Sequence, residues 1–119
     1  MSDDPIMPND FLPPSKITVR RLDAVLHPSI DVALFKLDVE GFECKALDGM
    51  GVLLQRVNIL RTEVAPHLLT PHGCATAGLM DRLRKAFSRV LDVNGKAFAN
   101  GALPFQNDAP GFAEVLGFN

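Results

Sequence analysis

The chain has 119 residues, 47% of them hydrophobic and 22% charged, with a formal net charge of −2. That length predicts one domain, and the hydrophobic share excludes a disordered chain. The near balance of acids and bases gives no indication of nucleic-acid binding. No apolar stretch approaches the roughly 20 residues that cross a bilayer, and the acidic, proline-containing start does not resemble a signal peptide. We therefore expect a soluble, cytoplasmic protein with no nucleic-acid or membrane partner.

The first third of the chain predicts little regular structure before its first apolar run. Four prolines and three aspartates in residues 1–15 predict an extended lead-in. Residues 17–22 predict a short strand, and residues 23–26 a helical turn. The almost wholly apolar Val32–Leu37 then predicts a strand buried on both faces, as in a parallel sheet.

The middle of the chain predicts an alternation of helix and strand. From Phe42 onward, apolar residues recur at helical spacing, and Val57–Val64 predicts a second buried strand. Thr76 is a candidate cap for a further helix. This order is typical of a parallel α/β unit. The apolar helix positions, which include two core methionines, are Phe42, Ala46, Leu47, Met50, Leu53 and Leu54 in the first helix and Leu79, Met80, Leu83, Ala86, Phe87 and Val90 in the second.

The C-terminal part predicts a hairpin and a last strand. Asn94 and Gly95 are a two-residue turn signal between residues 90–93 and 96–98, and residues 112–118 offer the last strand. Arg82, Lys85 and Arg89 are predicted to form a solvated basic face of the second helix, because no aromatic residue lies between them to stack on a base.

The two cysteines and the histidines carry no predicted chemistry of their own. Cys44 and Cys74 are too few for a disulfide framework or a four-ligand zinc site, so both are predicted to be reduced thiols. Glu63, His67 and His72 lie close in sequence, but their spacing suits no single helical face and no third strong ligand is adjacent. We therefore predict no metal site.

Acidic residues follow both predicted buried strands. Asp38 and Glu40 come after the first strand and Glu63 ends the second. In open α/β sheets, ligands bind outside the carboxyl ends of the strands. A carboxylate there also caps the following helix, so capping and ligand binding both remain open from spacing alone. Gly41 allows a close backbone approach or an unusual dihedral angle at the turn.

These residues resemble the signature of a known family. The segments KLDVEGFE (36–43), LDG (47–49) and ILRTEV (59–64), preceded by VRRLD (19–23), are similar to the FkbM-type S-adenosylmethionine-dependent methyltransferases. The resemblance covers residues 17–93. It implies an α/β fold, the C-terminal part of a Rossmann-like methyltransferase sheet, with parallel strands, flanking helices and a C-terminal hairpin. The two buried strands would be its fourth and fifth.

The resemblance also implies an activity and a set of site residues. The family transfers a methyl group from S-adenosylmethionine, usually to a hydroxyl oxygen of a natural product or sugar, so the expected partner is a small-molecule acceptor. Asp38 and Glu63 would be catalytic, and Asp38, Glu40 and Gly41 would contact the cofactor. Glu40 is also expected to brace the junction through helix N-terminal amides, and Glu43 through a nearby base.

One part of the family pattern is absent from this sequence. No glycine precedes Gly41, so the glycine-rich turn that wraps the cofactor is missing. We therefore expect residues 16–119 to be a partial domain in which the Val32–Leu37 strand has an unpaired edge. A separate N-terminal half-domain or a homo-oligomer would complete the sheet. The alternative function is a non-catalytic α/β module that binds a protein through that edge.

Overall fold

The computed structural model describes residues 12–98 and 112–119, which form a four-stranded mixed sheet flanked by helices. The strands are β1 (Val32–Leu37), β2 (Val57–Val64), β3 (Arg89–Asp92) and β4 (Ala113–Phe118). Their spatial order is β1-β2-β4-β3. β1 and β2 are parallel, whereas β4 runs antiparallel to both of its neighbours. The strands predicted at residues 32–37 and 57–64 and the last strand are confirmed. Most of the predicted lead-in lies outside the described residues.

One short helix precedes β1, and the other helices lie in the connections from β1 to β2 and from β2 to β3. The helices are α1 (Leu22–Val25), α2 (Glu43–Met50), α3 (Pro66–Leu69) and α4 (Thr76–Ala86). Tighter 3₁₀ turns extend α2 over Gly51–Arg56 and α3 over Thr70–His72. Among the described residues, no helix combines the length and the apolar character that a membrane crossing requires.

The core lies where α2 and α4 pack on β2 and β4. β2 has a neighbour on each side, and its Val57, Leu60 and Val64 are fully buried. Met50 and Met80 join the core as predicted. Burial of each such side chain contributes about 1.5–3 kcal/mol. The largest members of the core are Leu37, Leu47, Met50, Leu53, Val57, Leu60, Val64, Leu69, Leu79, Met80, Leu83, Phe87, Val90 and Val115.

β1 forms an edge of the sheet. Among the described residues it pairs only with β2, and Leu34 is 60% exposed. The expected unpaired edge is therefore confirmed, whereas the expected burial of this strand on both faces is wrong, because only Leu37 of the strand is buried. β1 is therefore more apolar than its burial within this chain requires.

The predicted strand over residues 17–22 is wrong. Residues 12–20 have no regular structure, Ile17 and Val19 are more than 80% exposed, and α1 begins at Leu22. Arg21 instead bonds to the Asp23 carboxylate and to the Asp48 carbonyl oxygen, at 2.8 and 2.9 Å. No strand of the described sheet lies beside this segment, so its alternating pattern has no ladder to join.

The ends of α4 differ from their predictions. Ala75, not Thr76, occupies the N-cap position, and Thr76 is a buried first helical residue. Arg89 lies in β3 rather than on the helix, so the predicted basic face is smaller. Arg82 is not simply solvated, since its guanidinium donates to the Cys44 carbonyl oxygen at 3.0 Å and pairs with Asp48 at 2.9 Å.

The C-terminal hairpin is only partly formed as predicted. The Asn94–Gly95 turn is present, and Asp92 Oδ1 accepts the amides of Asn94 and Lys96. The return segment, however, makes a single bridge from Ala97 to Leu91. β3 instead pairs along its length with β4. The main partner of β3 is therefore the last strand and not the segment that follows the turn.

The prediction of two reduced thiols is wrong. Cys44, in the first turn of α2, and Cys74, just before α4, form a disulfide with a Cα–Cα distance of 5.9 Å. Thirty positions separate them in the chain. Counting cysteines could not reveal this pair, because the fold and not the sequence spacing brings them together.

Candidate functional site

The turn from β1 to α2 has an unusual backbone that requires glycine at one position. Glu40 has φ +53° and Gly41 has φ +104°. Gly41 is buried, and a Cβ at this residue would collide with the Leu68 carbonyl oxygen and approach the His72 ring to 2.8 Å. Both roles predicted for Gly41, a close approach and an unusual dihedral angle, are confirmed. A non-glycine residue with positive φ, as at Glu40, is a form of strain that clusters at functional sites.

Glu43 holds this turn from inside. Its side chain is buried, and the carboxylate accepts the Gly41 amide at 2.9 Å and the Val39 amide at 3.4 Å. The predicted bracing of Glu43 by a base is therefore wrong, since its partners are backbone amides. Glu40, which was expected to bind such amides, is exposed. Because φ is positive at Glu40 and Gly41, the chain bends there so that Glu43 faces inward and Glu40 stays outside.

Asp38 and Glu63 meet at the carboxyl ends of adjacent strands. Leu37, the last residue of β1, pairs with Thr62 in the parallel register, so Asp38 and Glu63 are the next residues along the two neighbouring chain segments. Asp38 is exposed and Glu63 is half-buried. Partial burial raises the pKa of Glu63, and the negative charges of Asp38, Glu40, Glu43 and Glu114 raise it further. The structure thus brings the predicted acidic residues into one electrostatic neighbourhood.

Replacing Glu63 with glutamine is expected to stabilise the protein near neutral pH. A raised pKa means that the folded state holds the Glu63 proton more tightly than the unfolded chain does. Below the ordinary glutamate pKa of about 4.3, Glu63 is protonated in both the folded and the unfolded state, so its charge does not affect the free energy of unfolding. As the pH rises through the raised pKa of the folded state, ionisation of Glu63 lowers the free energy of unfolding. Urea unfolding of both proteins near pH 4 and pH 7 should show a gain only at the higher pH. An equal effect at both pH values would show that packing, not charge, distinguishes the variants.

Residues 66–74 cover the turn from the β2 side. The Phe42 and His72 rings stack with centroids 3.9 Å apart, and the Lys45 ammonium lies 5.1 Å from the Phe42 centroid. His67 is exposed on α3. Within residues 12–98 and 112–119, no group of three or more His, Cys, Asp or Glu side chains is placed to hold a metal ion. The contacts of Leu68 and His72 with the turn were missed, because no pattern in the sequence marks them.

An apolar groove adjoins the same turn. It has a volume of about 800 Å³ and lies between the segment that precedes α1 and the exposed side of α2. Ile17, Val19 and Phe42 supply much of its apolar surface, and Arg20 and Lys45 add positive charge. The groove is lined in part by Val39, the second residue after β1, so it begins close in sequence to the carboxyl end of that strand.

Comparison with known proteins identifies the family. No curated protein and no solved structure matches the chain. The family model of the methyltransferase FkbM domain matches residues 9–89, about two thirds of the sequence. The matched segment contains β1, α2, β2 and α4, and with them the turn that carries Asp38, Glu40 and Gly41. The chain therefore belongs to the FkbM methyltransferase domain family.

Proposed function

We propose that this chain is the acceptor-binding part of an S-adenosylmethionine-dependent methyltransferase that acts on a hydroxyl oxygen of a small molecule, such as a natural product or sugar. The observation that carries the proposal is the meeting of Asp38 and Glu63 at the carboxyl ends of two adjacent parallel strands. This is the edge at which open α/β sheets bind ligands. In a chain of this family, that position supports a catalytic rather than a merely capping role.

The acidic side chains have different parts in the proposed reaction. S-adenosylmethionine, when bound, supplies an electrophilic methyl group. Asp38, which is exposed at the end of β1, orients the acceptor hydroxyl and takes its proton. A positioned base of this kind contributes about 10²–10⁴-fold to the rate. The raised pKa of Glu63 makes this neighbouring carboxylate a stronger base than an ordinary glutamate, so it can share or relay the proton.

The residues present suit part of the cofactor. Exposed carboxylates such as those of Asp38 and Glu40 match the ammonium and ribose hydroxyl groups of S-adenosylmethionine, because carboxylates accept hydrogen bonds and attract cations. Gly41 lies under Leu68, so its proposed contribution is to hold the turn in the shape that presents these two side chains. None of residues 1–40 is a glycine, so these residues supply no glycine-rich turn for the rest of the cofactor.

We further propose that a complementary half-domain supplies that turn and docks on the edge of β1. The edge offers unpaired backbone groups beside an exposed Leu34, and the adjoining groove exposes Ile17 and Val19. A strand paired with β1 would satisfy the backbone groups, and an apolar helix face would fill the groove. Arg20 and Lys45 favour acidic residues around that helix face. A second copy of the chain on this edge is the competing outcome.

The test is calorimetric titration with S-adenosylmethionine. The 119-residue chain alone should show no binding in the micromolar range, and fusion to the glycine-rich half of another FkbM-family domain should restore it. A matched fusion in which Leu34 is replaced by lysine should no longer bind S-adenosylmethionine, because the added half can no longer dock on the edge of β1. Micromolar binding by the isolated chain, or a homodimer that excludes the added half, would overturn the half-domain proposal.

The non-catalytic alternative retains one observation in its favour. The exposed edge of β1 and the apolar groove are both available for docking whether or not a reaction follows. A chain of that kind would bind its protein partner equally well after replacement of Asp38, whereas the methyltransferase proposal requires loss of turnover. The same fusion therefore distinguishes the two functions.

A further inference from the structure

Two segments that approach the candidate site are joined by several independent contacts. One segment is the turn and first residues of α2, residues 38–44, and the other is the cover formed by residues 66–74. The joining contacts are the packing of Gly41 under Leu68, the stacked rings of Phe42 and His72, and the Cys44–Cys74 disulfide. The disulfide is the covalent member of this set and can be broken by a thiol.

The two cysteines differ in their exposure to solvent. Cys44 is half-buried, whereas Cys74 is 2% exposed and belongs to the core. A thiolate can therefore attack Cys44 Sγ, with Cys74 leaving as a thiolate that takes up a proton. The second thiol of a dithiol reductant then displaces Cys44, so one disulfide and one dithiol become two cysteine thiols and one oxidised reductant. Two electrons pass from the dithiol to the protein.

Reduction should loosen the cover without unfolding the domain. A free Cys74 thiol behaves as a small hydrophobic side chain and can stay where it is in the core. The strands are held by their own ladders and by α4, none of which depends on the disulfide. The part that loses its covalent tie is residues 66–74, which lie directly over Gly41.

We infer that the Cys44–Cys74 disulfide is a redox switch of the candidate site. In the oxidised state it clamps residues 66–74 over the turn that presents Asp38 and Glu40, and a dithiol reductant releases the clamp. The inference rests on the proposed function for its consequence, which is control of access to that turn. Its physical content is a local change in order, which exists with or without cofactor and acceptor.

Hydrogen exchange of the intact chain, followed by mass spectrometry and NMR, tests this switch. Protein purified in air should have the mass of the disulfide form, two hydrogen masses below the dithiol form. On adding dithiothreitol, the amides of Gly41 and Cys74 should exchange about tenfold faster, while amides in the β2–β4 ladder should change less than about twofold. A double variant, C44S/C74S, should exchange like the reduced protein and ignore the reductant.

Three results would overturn the switch. Two free thiols in air-purified protein would show that the bond does not form. Unchanged exchange at Gly41 and Cys74 would show that the bond restrains nothing, and an equal acceleration across all strands would make it a general support of the fold. Because none of these readouts requires methyl transfer or cofactor, failure of the switch is distinguishable from failure of the proposed function.

Discussion

Replacement of Gly41 with alanine is expected to lower the free energy of unfolding by about 3 kcal/mol or more. The positive φ of +104° costs a non-glycine residue about 1–3 kcal/mol. The added Cβ must also displace the Leu68 carbonyl, and overpacking of this kind costs about 1–3 kcal/mol more. Backbone atoms move less easily than a side-chain tip, so the collision is not simply relaxed. Urea unfolding followed by circular dichroism measures the loss, since the chain has no Trp or Tyr for fluorescence.

Gly73 provides the matched control. It also has positive φ, +71°, but a Cβ there would meet no atom within 4 Å. Gly73→Ala should therefore cost only the left-handed conformation, about 1–2 kcal/mol. Equal losses in the two variants would mean that contact with Leu68 does not constrain the turn. The difference between them isolates the close approach of α3 to the β1–α2 turn.

The strands that carry the site were predictable because their sequence pattern is local. β1 is apolar except for Lys36, and β2 carries apolar residues from Val57 to Val64, so the bounds of both strands followed from the sequence. The acidic residues at the carboxyl ends of these strands followed with them. Their parallel pairing followed from the helical spacing of the residues between them. The unpaired edge of β1 was also predicted, whereas the exposure of its faces was not.

The failures arose where a non-local contact decided the outcome. Residues 17–22 have strand-like alternation, but the sheet offers them no neighbour. The different fates of Glu40 and Glu43 depend on positive φ angles at Glu40 and Gly41, and the sequence marks only the second of these, by its glycine. Cys44 lies at the start of α2 and Cys74 lies just before the start of α4. They approach each other because both helices start at the same end of the sheet. Each error therefore arises from a tertiary contact and not from a misjudged secondary-structure propensity.

The acidic motif has a physical division of labour that its spacing alone did not reveal. Glu43 faces inward and satisfies two amides of the turn, and Asp38 and Glu40 remain outside. A buried acceptor that is removed leaves its donors unsatisfied, at a cost of about 1–3 kcal/mol. The inner carboxylate thus supports the shape of the turn, and the outer pair is available for ligands. Stability and turnover should accordingly respond to different members of one short motif.

Replacement of Asp38 with asparagine is expected to reduce turnover of the fused, binding-competent enzyme by about 10²–10⁴-fold. Asparagine keeps the size of the side chain, but its neutral amide cannot take the proton of the hydroxyl group that is methylated. Asp38 is exposed and makes no hydrogen bond to another described residue, so the free energy of unfolding should change by less than about 0.5 kcal/mol. Steady-state rates with a hydroxylated acceptor, together with urea unfolding of the same samples, measure both effects.

Asp31→Asn is the control at the opposite end of the same strand. Asp31 precedes β1, its side chain is 77% exposed, and its carboxylate pairs with Arg56 at 3.0 Å. Loss of this surface ion pair should cost no more than about 1 kcal/mol and leave turnover unchanged. A parallel loss of stability and turnover in Asp38→Asn would assign Asp38 to the support of the turn. Unchanged turnover would instead place the base elsewhere, and Glu63, on the adjacent strand, would be the next carboxylate to replace, because its raised pKa suits it to accept a proton.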